Sequence, residues 1–245
     1  LLKENPAIDV LTYLDADLFF YSDPGPIYKE LETGSILIVP HRFSESMQYK
    51  EKYGIYNVGL LSFYNDSTSR ECLKVWRTQC LQWCGEKPED GKYGDQKYLD
   101  DWPALYRGVI VLQHKGAGLG NWNIDNYSYH NEKNGDFYID ENRLIFYHFH
   151  GLKMINRFIF QADRDIESTL IRSVYAPYIR ELQSVMKRIL NGTMMGTVRT
   201  KAESFTERIR LIIHRHSIVV VGPFSFKVYL GTFLKPLFYL KRILT

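Results

Sequence analysis

The chain has 245 residues, 45% of them hydrophobic, 15% aromatic and 24% charged, a balance that excludes a disordered or fibrous protein and suffices for one large domain with an appendage. Its formal charge of +3 conceals an asymmetry, because residues 1–198 carry 22 Lys+Arg against 26 Asp+Glu whereas residues 199–245 carry 9 against 2. A mildly acidic body with a basic tail argues against a nucleic-acid binder and for a local anionic partner of the tail.

Three cysteines, Cys72, Cys80 and Cys84, make no secreted disulfide framework. No stretch reaches the roughly 18 apolar residues of a spanning helix. A secretory leader pattern is not visible either, and the expectation is a cytoplasmic protein with reduced thiols.

The first predicted strand, over residues 10–14, runs into Asp15 and Asp17. Alternate side chains of an extended chain share a face, so these carboxylates are expected to point the same way. Among apolar neighbours they repel one another and lose hydration unless a cation lies between them. Paired anionic oxygens suit a hard divalent ion, Mn2+ or Mg2+; two solvated aspartates at an ordinary strand-to-loop transition are the alternative. Pro26 starts a short helix over 27–31. The continuous apolar run 35–39 predicts a strand buried on both faces. His41 and Arg42 close that strand, either to meet a phosphate or as a structural histidine and a rim ion pair.

Residues 43–54 read as a polar loop, and 56–63 as a strand with Asn57 at its entrance. Gly59 permits close approach of a ligand or of another backbone. The Asn57 amide offers donors and an acceptor to sugar hydroxyls, or caps a buried turn. Residues 67–84 predict a helix whose buried stripe carries Cys72, Trp76, Cys80 and Trp83/Cys84. Core thiols are favoured there over a metal cluster, which needs a further ligand. Asp95, followed by Gln96, is placed to cap a short helix. A strand over 109–112 leads into three glycines, Gly116, Gly118 and Gly120, whose spacing is not that of a P-loop. Asn134-Gly135 signals a hairpin. In the run 143–153, His148 and His150 are expected on one strand face, followed by Gly151 and Lys153.

The tail predicts a helix over 165–190 with a break or kink at Pro177, and an amphipathic helix over 203–216. The basic, aromatic stretch Ile218–Leu244 suits an anionic membrane interface, or packing against the body or a second subunit.

The stretch Tyr13-Leu14-Asp15-Ala16-Asp17-Leu18-Phe19-Phe20 resembles the metal-binding signature of GT-A glycosyltransferases. Asn57-Val58-Gly59, Asp95-Gln96 and His148-x-x-Gly151 are similar to elements of the family-8 retaining enzymes and bacterial nucleotide-diphospho-sugar transferases. These segments follow in family order, separated by 40, 38 and 52 residues. The resemblance implies an α/β fold of GT-A type, a mixed sheet flanked by helices. Its catalytic domain would span 1–155, lack part of the nucleotide-binding half, and be followed by a helical extension over 156–245. Asp15, Asp17 and either His148 or His150 would hold Mn2+ or Mg2+ against a diphosphate. Asn57 and Asp95 would fix the donor sugar, Gln96 would lie beside the anomeric carbon, and Gly151 and Lys153 would meet the diphosphate. Lys153 lies two residues after Gly151, against three in the family, and Met154 follows in place of Pro-Trp.

The implied activity is retaining transfer of a hexosyl group from a nucleotide-diphosphate sugar to a saccharide or glycolipid acceptor. The setting would be bacterial envelope polysaccharide or lipopolysaccharide synthesis, by a cytoplasmic protein peripheral on the inner membrane, without nucleic acid. A sugar-nucleotide hydrolase or nucleotidyltransferase, and a non-enzymatic membrane-surface adaptor, are the competing expectations.

Overall fold

A computed structural model describes residues 2, 4–156, 159–192, 218–221 and 226–229. The fold is α/β with mixed sheets and helices, and it divides into two compact units, Leu1–His150 and Gly151–Thr245.

The first unit is built on a four-stranded sheet of β1 (Val10–Leu14), β3 (Ile36–Pro40), β4 (Tyr56–Tyr64) and β5 (Val109–Val111), in the order β1-β4-β3-β5. Only the β3–β5 pair is parallel. Alternation along β3 sends its side chains to two cores. Leu37 and Val39 pack with Ile27 and Leu31 of helix α1 (Gly25–Leu31). Ile36 and Ile38 pack with Leu61, Phe63 and Cys72 of helix α2 (Ser67–Gln82). The apolar run of β3 therefore has the two-sided burial expected of it.

A second sheet has the order β2-β10-β6, from β2 (Leu18–Phe20), β6 (Leu119–Gly120) and β10 (Phe146–His148). β10 runs antiparallel to β2, with His148 opposite Leu18, and parallel to β6. Between them lies the meander β7 (Tyr129–Asn131), β8 (Phe137–Ile139) and β9 (Asn142–Arg143). Its first turn is the predicted hairpin, with Gly135 at φ 89°.

Several local expectations are corrected. The polar segment before β4 is not a loop but a 3-10 helix, Glu45–Tyr53. Helix α2 is capped by Asp66, which accepts the Ser69 amide at 2.8 Å, but it ends at Gln82, and Trp83 is already extended. Cys84 thus leaves the helical stripe and is exposed, whereas Cys72 is buried. Asp95 makes no cap: the 3-10 helix Lys97–Asp101 starts at Gln96 without a side-chain bond, and α3 (Trp102–Leu105) follows it.

The second unit is not the all-helical extension that the sequence suggests. It holds an antiparallel sheet, β11 (Lys153–Asn156), β12 (Ile159–Gln161), β13 (Ile218–Val221) and β14 (Phe226–Tyr229), in chain order. The β-branched run Ile218-Val219-Val220-Val221 explains the strand, since such side chains suit a pleated surface better than a helix. The helix predicted over 165–190 is present as α4 (Ser168–Leu170), a π-helical turn over Ile171–Tyr175, and α5 (Ala176–Gly192). Pro177 has no N–H and its ring crowds the carbonyl four residues earlier, and the wider π turn lies immediately ahead of it. The amphipathic helix predicted over 203–216, and most of the interfacial stretch 218–244, lie outside the described residues. Among the described residues, no helix is long and apolar enough to cross a membrane.

Thiol chemistry tests the α2 register. Burial pushes the Cys72 thiol up to about 12, so a maleimide at about pH 7.5 should label Cys84 first and Cys72 only on unfolding, as read by peptide mass mapping. Labelling of Cys72 in the native protein at the Cys84 rate would overturn this packing.

Candidate metal centre

The centre begins with an irregularity in β4. Ile38 of β3 pairs with Leu61, yet the next residue, Val39, pairs with Asn57, so Val58, Gly59 and Leu60 have no counterparts on β3. Asn57 closes this bulge on itself, its Oδ1 accepting the Gly59 amide at 2.6 Å. The Gly59 carbonyl then accepts the Asp15 amide at 2.9 Å. On the Gly59 Cα lies the His148 imidazole: a Cβ there would meet Nδ1 at 2.7 Å and collide with Asn57 Oδ1 as well. The glycine serves close approach, as its place in a strand interior suggests.

Asp15 and Asp17 do not lie in an extended strand. β1 ends at Leu14 and β2 starts at Leu18, and the carboxylates occupy the turn between them. They nevertheless converge on one imidazole, His148 Nε2 lying 3.0 Å from Asp17 Oδ1 and 3.8 Å from Asp15 Oδ2. The turn is pinned to β10 by the Phe149 amide, which donates to the Asp17 carbonyl at 2.9 Å. His150 also stands beyond a strand end, yet reaches the same place: Asp17, His148 and His150 each offer one ligand atom, all within 4.8 Å of one another. Both histidines named in the sequence are thus in the cluster, one buried and one exposed.

His148 beside Asp17 holds that carboxyl below its ordinary value of 3.8, against the opposing effect of burial. A depressed folded-state pKa stabilises the fold above the unfolded value and is lost as pH falls through the folded one, so the pair loosens below pH 3.8. Tyr13 donates its hydroxyl to Asp15 Oδ1 at 2.7 Å. That hydrogen bond, with burial and the nearby carboxylates, pushes its phenol up to about 12 and keeps it a donor. Tyr13 stands two residues before Asp15, near the end of β1, a spacing visible in the sequence.

Asp95 lies within electrostatic reach of this cluster. Burial first, and the Asp15 charge as well, push its carboxyl up. Its carbonyl accepts the Trp76 indole N–H at 2.9 Å. Gln96 donates its amide to the Tyr53 carbonyl at 3.1 Å, which ties it to the 3-10 segment. Gly151 opens the second unit at φ 79°, and Lys153 is the first residue of β11, paired with Gln161.

A second layer of residues surrounds the cluster. Trp122 sets its ring edge-on to His148 and His150, with centroids 5.3 and 6.3 Å away. Asn121 donates to the His150 carbonyl at 3.3 Å. Arg42, at φ 50°, spends its guanidinium on the carbonyls of Leu112 and Ala117, at 2.7 and 2.9 Å. It braces the glycine-rich loop and makes no rim ion pair among the described residues.

Replacing Gly59 by alanine forces either Asn57 or His148 to move, so Gly59→Ala should weaken Mn2+ binding by about 10- to 100-fold, the range seen for groups that orient ligands; calorimetric titration checks this. Comparison with known proteins adds kinship without chemistry. No family model matches the chain. It is 35% identical over 181 residues to a Bacillus subtilis (strain 168) protein named uncharacterized protein YfnD, covering 71% of this chain and 58% of that one. It is 34% identical over 163 residues to uncharacterized protein YfnF of the same strain, covering 63% of this chain and 54% of that one. The chain thus matches little more than half the length of either relative.

Proposed function

We propose that this chain carries the metal and donor-sugar half of a GT-A glycosyltransferase, one that moves a hexosyl group from a nucleotide-diphosphate sugar to an acceptor hydroxyl with retention. The observation that carries the proposal is the convergence of Asp17, His148 and His150 on one point, beside Asp15 and within reach of Asp95. One carboxylate and two imidazoles so close together offer a set of potential ligand atoms, and convergent polar groups are a feature of binding sites.

The donor set fits a divalent ion. The 3.0 Å separation of His148 Nε2 and Asp17 Oδ1 matches the edge between neighbouring ligands of an octahedral ion bound at about 2.1 Å. Of the two ions considered, Mn2+ as a transition ion accepts imidazole nitrogen more readily than Mg2+, which keeps to oxygen ligands. Bound there, it would neutralise charge that develops on a departing diphosphate.

The chain's own groups supply the rest. Tyr13 orients Asp15 through its hydroxyl. Asn57 has one amide hydrogen left for a sugar hydroxyl after serving Gly59 and His41. Asp95, raised by burial and by Asp15, would hydrogen-bond a sugar hydroxyl, with a role as nucleophile at the anomeric carbon as the alternative. Gly151 and Lys153 keep their proposed diphosphate contacts on the strength of the motif alone. The acceptor is a saccharide or glycolipid, in envelope polysaccharide or lipopolysaccharide synthesis, at the cytoplasmic face of the inner membrane.

Thermal-shift screening of the full chain against sugar nucleotides, with and without Mn2+, followed by product analysis, tests this reading. A donor should raise the midpoint only when Mn2+ is present. Transfer to an acceptor supports the proposal, and free sugar formed at the same rate without acceptor replaces it by hydrolysis. Asp17→Ala and His148→Ala should each lower turnover by more than about 100-fold, beyond the effect typical of outer-layer residues, with far-ultraviolet circular dichroism unchanged. Full activity in either variant would reject the site.

A further inference from the structure

His41 stands where the supports of the metal centre meet. Its carbonyl accepts both the Trp122 indole N–H at 2.9 Å and the Asn123 amide at 2.7 Å. Its ring stacks on Phe43 with centroids 4.5 Å apart, and lies edge-on to Trp122 at 5.5 Å. The residue is only 5% exposed, and its Nε2 lies 3.1 Å from Asn57 Nδ2.

Asn57 fixes the direction of that last contact. Its Oδ1 is committed to the Gly59 amide, so the atom facing His41 is the NH2 donor, and only an unprotonated Nε2 can accept from it. The ring proton must then sit on Nδ1, which has no hydrogen-bond partner among the described residues. An imidazolium would set two donors against each other, and burial, the main cause, pushes the His41 pKa down to about 3. Packing alone does not account for a histidine here, because an apolar ring would fill the space without an orphaned N–H.

We propose that His41, as the neutral Nδ1–H tautomer, is a positioning residue for the metal centre. By accepting the Asn57 amide it holds Asn57 Oδ1 on Gly59 and keeps the β4 bulge in the shape on which Asp15 and His148 rest. Through its carbonyl it keeps the Trp122 ring against both imidazoles. The inference rests on the metal centre proposed above, and it assigns to His41 a function in ligand geometry rather than in contact with substrate.

Two measurements test it. Nitrogen-15 imidazole correlation spectra of the native chain, with His41 assigned by the signal lost in His41→Gln, should show a neutral ring protonated on Nδ1 at pH 7; an Nε2–H tautomer or an imidazolium overturns the proposal. Mn2+ affinity, read from the paramagnetic resonance of free ion, should fall by about tenfold or more in His41→Leu. In His41→Gln, whose carbonyl can replace Nε2 as acceptor, it should stay within about threefold of native. Metal-free unfolding midpoints report the fold separately, and a purely structural role would lower them while leaving the Mn2+ affinity of the folded protein unchanged. Should His41→Leu not fold, His41→Phe removes the same acceptor while keeping a ring beside Phe43 and Trp122, and should show the same loss of affinity. A native chain that fails to bind Mn2+ overturns the metal centre and this inference together, whereas native binding with unchanged affinity in the variants overturns only the inference.

Discussion

The Asp15 amide reaches the Gly59 carbonyl at 2.9 Å while the His148 ring rests on the Gly59 Cα, and this close approach of three chain segments fixes the geometry of the centre. It needs a residue without a side chain, a strand that bulges at that point, and a polar partner to hold the bulge in shape. Asn57 is that partner through its Oδ1. Bulges bend a strand locally and re-aim what lies beside it. Here the bend delivers the β4 backbone to the turn after β1, so that the two aspartates sit on a hydrogen-bonded floor instead of a free loop.

The second constraint is the antiparallel pairing of β2 with β10. It sets His148 opposite Leu18, and the Phe149 amide then extends the ladder to the Asp17 carbonyl. One register thus brings residues 17 and 148 together through the backbone, before any side-chain attraction acts. The attraction follows from it: His148 holds the Asp17 carboxyl below its ordinary value in spite of burial. Asp95, with no such partner, is driven the other way by burial and by Asp15. Carboxylates whose pKa values are pushed apart by their surroundings suit divided roles.

The elements of the first unit were legible because apolar runs and breakers are local signals. The strand over 10–14, the two-sided β3 and the glycine-marked hairpin all follow from them. The clustered residues Asp17, His148 and His150 are named instead by strand alternation and by the resemblance, and that reason is incomplete. Strand alternation was to bring Asp15 to Asp17 and His148 to His150, yet both pairs straddle strand ends, and their convergence comes from turns held by distant amides. Such tertiary hydrogen bonds leave no periodic trace. For the same reason the uses of Arg42 and Gln96, both spent on backbone carbonyls, could not be read from their neighbours in sequence. The tail was misread where β-branched and aromatic residues compete with basic ones, a pattern that suits an amphipathic helix and a strand alike.

The two histidines differ in how firmly they are held, and this bears on how a divalent ion would be bound. His148 is buried, seated on Gly59 and flanked by the Trp122 ring. Its rotamer is therefore settled by packing, and little freedom remains to be lost when it ligates. His150 is exposed; its carbonyl accepts the Asn121 amide, and its ring lies edge-on to Trp122 and His148 with centroids 6.3 and 6.1 Å away. Asp17 is intermediate, fixed through its backbone and through His148. Were an ion bound, such a centre would present a preorganised pair, Asp17 and His148, with His150 as a more exposed third ligand. The last residue of the first unit is that third ligand, followed at once by the left-handed turn at Gly151. The left-handed backbone at Gly151 thus adjoins the more exposed of the two histidines, and were an ion bound, adjustment would act first through His150 rather than through the packed Asp17–His148 edge.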